Sequence, residues 1–372
     1  MATTVRQEAP DSAADAAALL AEGGRVRIAG RGTRAGWGNV PGDPDLVLRT
    51  DAMSEVVEHN AGDLTAVLEA GVPLAQGQRA FAAEGQMLAL DPPEDPAGSI
   101  GGLFATADGG PLRHRYGAPR DLIVGITVAL ADGTVAKAGG RVIKNVAGYD
   151  LAKLFTGAFG TLGLIVTVAV RLHPRPPEAV TVRARAGDPA ALARAAGAAA
   201  HHPLEADALD VAWADGTGEV LVRLSGATAA SRAHATAQLL ELDAEVVEDD
   251  DALWAAQRAR QRGELVVKVS ALATELPRVL GAAAAQGGTV AGRAALGLSW
   301  VGLPADDGAA RVERLRQALS GARCVVLDAP EDVRAALDPW DAREDPTRVL
   351  MRRVKARFDP GDVCNPGLFL VP

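Results

Sequence analysis

The stretch RVIKNVAGYDLAKLFTGAFGTLGLI, residues 141–165, carries glycine at 148, 157, 160 and 163 with little polar filler between them. Glycine inside an apolar segment costs backbone entropy and leaves a hole where a side chain could pack. Two explanations are open at this level. Either the backbone turns through positive φ, or something other than side chains lies against it. The stretch runs into LGLIVTVAV (162–170), which is β-branched and about half the length of a membrane span, and so reads as a buried strand.

Working outward, IVGITVALADGTVAKAG before the stretch reads as a hairpin turning at Asp132-Gly133. HPRPP (173–177) after it punctuates the chain as a domain boundary. Nearer the N-terminus, Asp11 or Ser12 can cap a helix that runs to about Glu22. The strand RVRIAG (25–30) leads straight into the loop GRGTRAGWG (30–38), whose close glycines let backbone N–H groups converge on an anion. The loop fits neither the GxGxxG register nor the P-loop pattern, and alone it could be a plain turn. DPPEDPAGSIGGLFATADGG reads as a loop stiffened by proline, with small residues that keep its surface flat. Residues 178–345 alternate strands with Ala-rich helices, as in a small antiparallel sheet with helices on one face. A basic helix and Asn365-Pro366-Gly367 close the chain.

Composition narrows the function classes. The 372 residues carry a net charge of -9 with no run of basic charges, which argues against a broad nucleic-acid surface. Cys324 and Cys364 lack metal-ligand spacing, so neither a metal site nor a disulfide framework is expected. The first residues lack the basic and apolar parts of a signal peptide, and no apolar run is long enough to span a membrane. The expectation is a cytoplasmic protein, with any contact at the inner face of the membrane made through partners.

GRGTRAGWG, DPPEDPAGSIGG, RYGAPRD, VIKNVAGYDLAKLFTGAFGTLGLI and FDPGDVCNPGLF, in this order, resemble the FAD-linked oxidoreductases of the vanillyl-alcohol oxidase and p-cresol methylhydroxylase type. Among these the sequence is most similar to the FAD-binding E subunits of bacterial glycolate oxidases. The resemblance is dense over about 25–174, thin over 178–345 and returns at 355–368. It implies an α+β fold: a two-part α/β FAD-binding domain (1–174), an antiparallel-sheet cap domain (178–345), and a C-terminal segment (346–372) returning to the first. It also implies that cofactor atoms replace the missing glycine side chains. Gly30, Arg31, Gly32, Thr33 and Arg34 match the pyrophosphate loop, and Pro92 stands in the approach to Ser99, Ile100, Gly101, Gly102 and Ala105, the segment nearer the flavin ring. Gly148, Tyr149 and Asp150 would end one cofactor loop, and Lys144-Asn145 before that turn read either as a cation set near the flavin or as a lysine paired with a surface carboxylate. Gly160, Thr161, Leu162, Gly163 and Ile165 would turn against the adenosine side, and Asn365 would return to the flavin region.

Some members of the family hold FAD through a histidine in the first loop. Residues 30–38 contain none, so non-covalent FAD is expected. The paired metal-binding histidines of related 2-hydroxyacid dehydrogenases have no counterpart here, since His201-His202 are adjacent, and no metal is expected. Arg115, Arg258 and Arg260 are candidate carboxylate-holding cations, but no catalytic base stands out. Trp213, Trp254 and Trp300 read as core anchors. The resemblance thus implies the FAD-binding subunit of a glycolate or other 2-hydroxyacid oxidase complex, with a sister flavoprotein subunit and an iron–sulfur subunit as partners. A stand-alone FAD oxidoreductase and a flavin-holding structural subunit are the alternatives.

Overall fold

The computed structural model describes residues 5–93, 98–140, 150–343 and 346–369. Near the N-terminus, Ser12 caps the helix Ala13–Ala21 by accepting the Asp15 N–H. The helix packs on a parallel three-stranded sheet in which Leu46–Arg49 lies between Arg6–Glu8 and Val26–Ala29. A five-stranded antiparallel sheet follows, ordered Val56–Asn60, Thr65–Glu69, Leu164–Arg171, Ile123–Ala129, Val135–Gly139. Its central strand, expected from the apolar run, serves two cores. Leu164 and Val166 join Leu20, Leu48 and Met53, while Val168 and Val170 join Phe81, Phe104 and Phe155. A strand buried on both faces has no need of polar alternation.

The second sheet has eight antiparallel strands, ordered Asp243–Val247, Ala179–Ala186, Thr217–Ser225, Ala208–Ala214, Thr289–Arg293, Leu298–Gly302, Val266–Ser270, Arg323–Asp328. Period-two alternation sorts its two faces. Val211, Val267, Val269, Val290 and Val301 face helices such as Pro189–His201 and Leu276–Ala284. Asp210, Arg293, Trp300 and Lys268 fall on the other face, in register as Asp210 opposite Arg293 and Lys268 opposite Trp300. That polar face is the one turned toward the glycine loops. The mixed helix and antiparallel-sheet architecture matches the fold class expected from the sequence.

The tail crosses back to the first sheet. Val26 donates its N–H to Val363 O at 2.9 Å, and Asn365 donates its own to Val26 O at 2.9 Å. Two glycines of the decisive stretch explain themselves here. Gly160 has φ +68°, and a Cβ on it would stand 2.8 Å from Asn365 Nδ2. Gly163 has φ +148°, and its Cβ would meet Ala129 O at 2.7 Å. Backbone conformation and the chain's own atoms therefore demand glycine at both positions, so the expectation that ligand atoms replace their side chains does not hold for them. Gly148 lies outside the described residues.

Candidate functional site: a glycine-lined cleft opening into a cavity under the second sheet

The loop after Val26–Ala29 runs strand to strand, as the sequence suggested, and its N–H groups are left over. Among the described residues, the amides of Arg31, Gly32, Thr33 and Arg34 have no hydrogen-bond acceptor. Four successive free donors make a nest for an anion. These residues line a cleft of about 150 Å³ together with Gly30 and Arg27. Withdrawal from water lowers the Arg27 pKa, with Asp43 opposing the shift.

The opposite wall corrects one expectation. Ile100–Thr106 is a helix rather than a flat loop. Ser99 is its N-cap, accepting the Gly102 N–H at 3.3 Å. Ser99, Gly101, Gly102 and Ala105 line the cleft, whereas Ile100 is fully buried in the core. Gly101 is glycine because the helix crosses the end of the Thr65–Glu69 strand, where its Cβ would lie 2.6 Å from Ala70 Cβ. Gly32, by contrast, has φ +78° and open space where a Cβ would be.

Gly160, Gly163, Ile165 and Asn365 complete the cleft. Thr161 and Leu162 are buried beneath the turn; the Thr161 hydroxyl donates to Ala158 O at 2.7 Å. Pro92 is buried away from the cleft, and Asp150 is exposed and paired with Lys153. Lys144, Asn145, Gly148 and Tyr149 lie outside the described residues.

Trp37, Thr106 and Phe159 line both this cleft and a larger cavity of about 750 Å³. Trp37 stands at the junction, 3% exposed, between the guanidinium groups of Arg34 and Arg262 at 5.7 and 5.4 Å from its ring. Its indole N–H donates to Asp328 Oδ1 at 2.8 Å, while Arg262 Nε donates to Asp328 Oδ2 at 2.7 Å. Below it, Arg34 and Asp108 form an ion pair of 2.6 Å with side chains 5% and 3% exposed.

The far wall of the cavity is the polar face of the eight-stranded sheet, carrying Lys268, Ser270, Trp300, Arg323, Val325 and Leu327. Lys268 Nζ lies 5.6 Å from the centre of the Trp300 ring, and the Arg293 guanidinium covers the same ring at 4.7 Å. Burial lowers the Lys268 pKa, Arg113 and Arg293 lower it further, and Asp108 opposes them. Arg293 is fully buried and pairs with Asp210 at 2.6 Å. Gln257 donates to the same Asp210 carboxylate, and Gln261 joins Arg293 to Gly109 O across the gap between the two parts of the chain. Asp91 accepts the Leu112 N–H at 3.0 Å, and loss of solvation raises its pKa to about 7 against the pull of Arg293 and Arg258.

The cations named from the sequence lie elsewhere. Arg115 pairs with Asp207 at 3.2 Å and Arg260 with Glu219 at 3.7 Å, and neither they nor Arg258 line the cleft or the cavity. Lys268, Arg293 and Arg323 were not singled out. A charged residue in a strand normally reads as the solvent face, and only the second layer converts that face into a cavity wall. Trp254 is a core anchor, 1% exposed and bonded to Thr181 Oγ1, whereas Trp300 also walls the cavity. Among the described residues no His, Cys, Asp and Glu cluster could hold a metal ion, and no helix is long and apolar enough to cross a membrane.

Comparison with known proteins supplies the chemistry. Residues 4–139 match the FAD binding domain family. The chain is 36% identical over 155 residues to glycolate oxidase subunit GlcD of Bacillus subtilis, covering 42% of this chain and 33% of that protein. It is 36% identical over 150 residues to D-lactate dehydrogenase of Archaeoglobus fulgidus, covering 40% and 33%. Over 129 residues it is 33% identical to glycolate oxidase subunit GlcE of Escherichia coli, covering 34% and 37%. Each match spans only about a third of the curated relative's length. The fold is that of alkyldihydroxyacetonephosphate synthase, with a TM-score of 0.72 at 14% identity over 97% of this chain and 75% of that one. The free amides fit a diphosphate, as FAD requires. Residues 4–139 are thus similar to the FAD binding domain family, and FAD is the cofactor of this chain.

Proposed function

We propose that this chain is the FAD-binding subunit of a glycolate or related 2-hydroxyacid oxidase, similar to the E subunits, and that it works beside a sister flavoprotein subunit and an iron–sulfur subunit. The observation that carries the reading is the continuity of cleft and cavity through Trp37, Thr106 and Phe159. A dinucleotide whose diphosphate rests on Arg31–Arg34 has a direct path from the cleft to a chamber with cationic and aromatic walls. The relatives named for glycolate, D-lactate and D-2-hydroxyglutarate oxidation support the substrate class.

Residues 1–174 and 346–372 would form the flavin domain and 178–345 the cap. In this arrangement the loop amides and Arg27 hold the diphosphate without a covalent bond, and the Trp37–Asp328–Arg262 contacts keep the cap seated and water out. Oxidation of a 2-hydroxyacid removes a hydride from C2 and a proton from the hydroxyl, and bound FAD supplies the two-electron acceptor.

The test is anaerobic mixing of the purified yellow protein with glycolate, D-lactate or D-2-hydroxyglutarate, following the flavin band near ~450 nm. Bleaching only in the presence of the partner subunits supports the subunit reading. Bleaching of the isolated chain favours a self-sufficient enzyme, and no bleaching in either state favours a structural flavoprotein. Colourless protein that FAD cannot reconstitute would sink all three.

A further inference from the structure

Lys268 is the outlier among the cations of the cavity. Arg323 donates to Asp341 O at 2.8 Å. Arg343 donates to Ala322 O at 2.6 Å and lies 3.5 Å from the Asp341 carboxylate. Arg348 is engaged as well. Among the described residues, the Lys268 ammonium meets neither a carboxylate at ion-pair distance nor a hydrogen-bond acceptor, and its close neighbour is the Trp300 ring. The Lys268 side chain is half-buried in the cavity wall, and an ammonium partly withdrawn from water without an anion carries a desolvation cost that a ligand with the missing charge would offset.

The surroundings restrict that ligand. Asp108 and Asp338 also line the cavity, and both are committed: Asp108 to Arg34, Asp338 to the N–H groups of Trp340 and Ala342. Val325 and Leu327 extend the wall beside Trp300. Among the described residues one free cation, an aromatic face and an aliphatic patch line the cavity, a set that fits one carboxylate with a short apolar remainder. Among the described lining residues a second carboxylate would find arginines already engaged and two carboxylates that repel it.

We propose that Lys268 captures the substrate carboxylate against Trp300, and that the site is built for monocarboxylic 2-hydroxyacids rather than dicarboxylic ones. This rests on the 2-hydroxyacid reading above. Arg293, fixed by Asp210 behind Trp300, is a positioning residue that holds the ring in place.

The probe is 2-hydroxyisobutyrate, which has no hydrogen on C2 and cannot be oxidised by hydride loss. Its binding to the FAD-loaded protein is measured by calorimetry. Lys268→Met should weaken binding by about 10- to 100-fold, the range for losing a charge-assisted hydrogen bond, with FAD content unchanged. Lys268→Arg should stay within several-fold, and Lys268→Gln serves if the Met variant fails to fold. The dicarboxylate 2-hydroxy-2-methylsuccinate should bind no tighter than the monoacid. Equal binding by Lys268→Met, no binding by the wild type, or a dicarboxylate preference of about tenfold (a difference near 1.4 kcal/mol) overturns the proposal. If 2-hydroxyacids bleach the flavin while Lys268→Met binds the probe normally, only the assignment to Lys268 falls. If Lys268 governs probe binding but no 2-hydroxyacid bleaches the flavin, the oxidase reading falls and the carboxylate site stands.

Discussion

The Asn365 side chain accepts the Ile28 N–H at 2.8 Å and donates to Phe159 O at 2.8 Å, so one amide near the end of the chain ties the strand before the first glycine loop to the turn at Gly160. It is 4% exposed and has φ +43°, a conformation that asparagine tolerates and β-branched residues do not. No alanine could reproduce either hydrogen bond. Asn365→Ala strands a partly buried N–H and adds left-handed strain, for a combined loss of about 2–4 kcal/mol. Urea unfolding of apo and FAD-loaded protein measures it, and the loaded form should lose more because both tied segments line the cleft. An Asn365→Ala protein as stable as the wild type would mean the tail does not hold the cleft together.

The glycines divide by what stands opposite them, and this division can be measured. Gly101→Ala drives a methyl into Ala70 at a helix–strand crossing, so the apo protein itself should lose about 1–3 kcal/mol. Gly32→Ala meets nothing within 4 Å and faces only the left-handed penalty of about 1–2 kcal/mol. Its larger effect should fall on FAD affinity, read by flavin fluorescence quenching, because the anion nest loses its shape. If Gly101→Ala leaves the apo protein unchanged, the close packing at Ala70 is not a constraint.

How far the sequence reached follows from what each residue type can signal. The apolar run ending in Val170, the Asp132-Gly133 hairpin and the Ser12 cap are local patterns, and each forms the element it suggested. The helix Ile100–Thr106 was hidden because Gly101-Gly102, poor helix formers, stand in its first turn for a tertiary reason. The first glycine loop was legible because its free donors, the amides of Arg31 to Arg34, belong to the backbone, and closely spaced glycines signal a backbone feature. Lys268 and Arg293 were not legible. Their place in the cavity wall and behind it comes from a sheet face packing on loops far away in the chain, and no local spacing reports it.

Asp91 gives a pH signature. Its folded pKa of about 7 lies above the ordinary carboxylate value, so the folded state holds a proton that the unfolded chain has lost between roughly pH 4 and 7. Its contribution to stability is full below that window and is lost as pH rises through it. Asp91→Asn keeps an oxygen for the Leu112 N–H and cannot ionise. The stability of the variant relative to wild type should therefore rise with pH across the window, by at most ~1.4 kcal/mol per pH unit, and level off above about 8. Parallel stability curves for the two proteins from pH 4 to 8 would show that Asp91 titrates normally.

Asp328 is the acceptor on which the junction between cleft and cavity depends, since Trp37 and Arg262 both donate to it. Asp328→Ala leaves the indole N–H of a nearly buried tryptophan without a partner and frees a guanidinium beside it, a loss of about 1–3 kcal/mol. Asp328→Asn keeps an oxygen for Trp37 but replaces the charge facing Arg262, so its loss should be smaller. The Trp37 ring walls the passage where the cleft meets the cavity, so the alanine variant should also release FAD faster in a dilution experiment, with the asparagine variant between it and wild type. That ordering distinguishes a gatepost from a simple packing residue: if the two variants lose equal stability while FAD release is untouched, Trp37 packs there without controlling the passage.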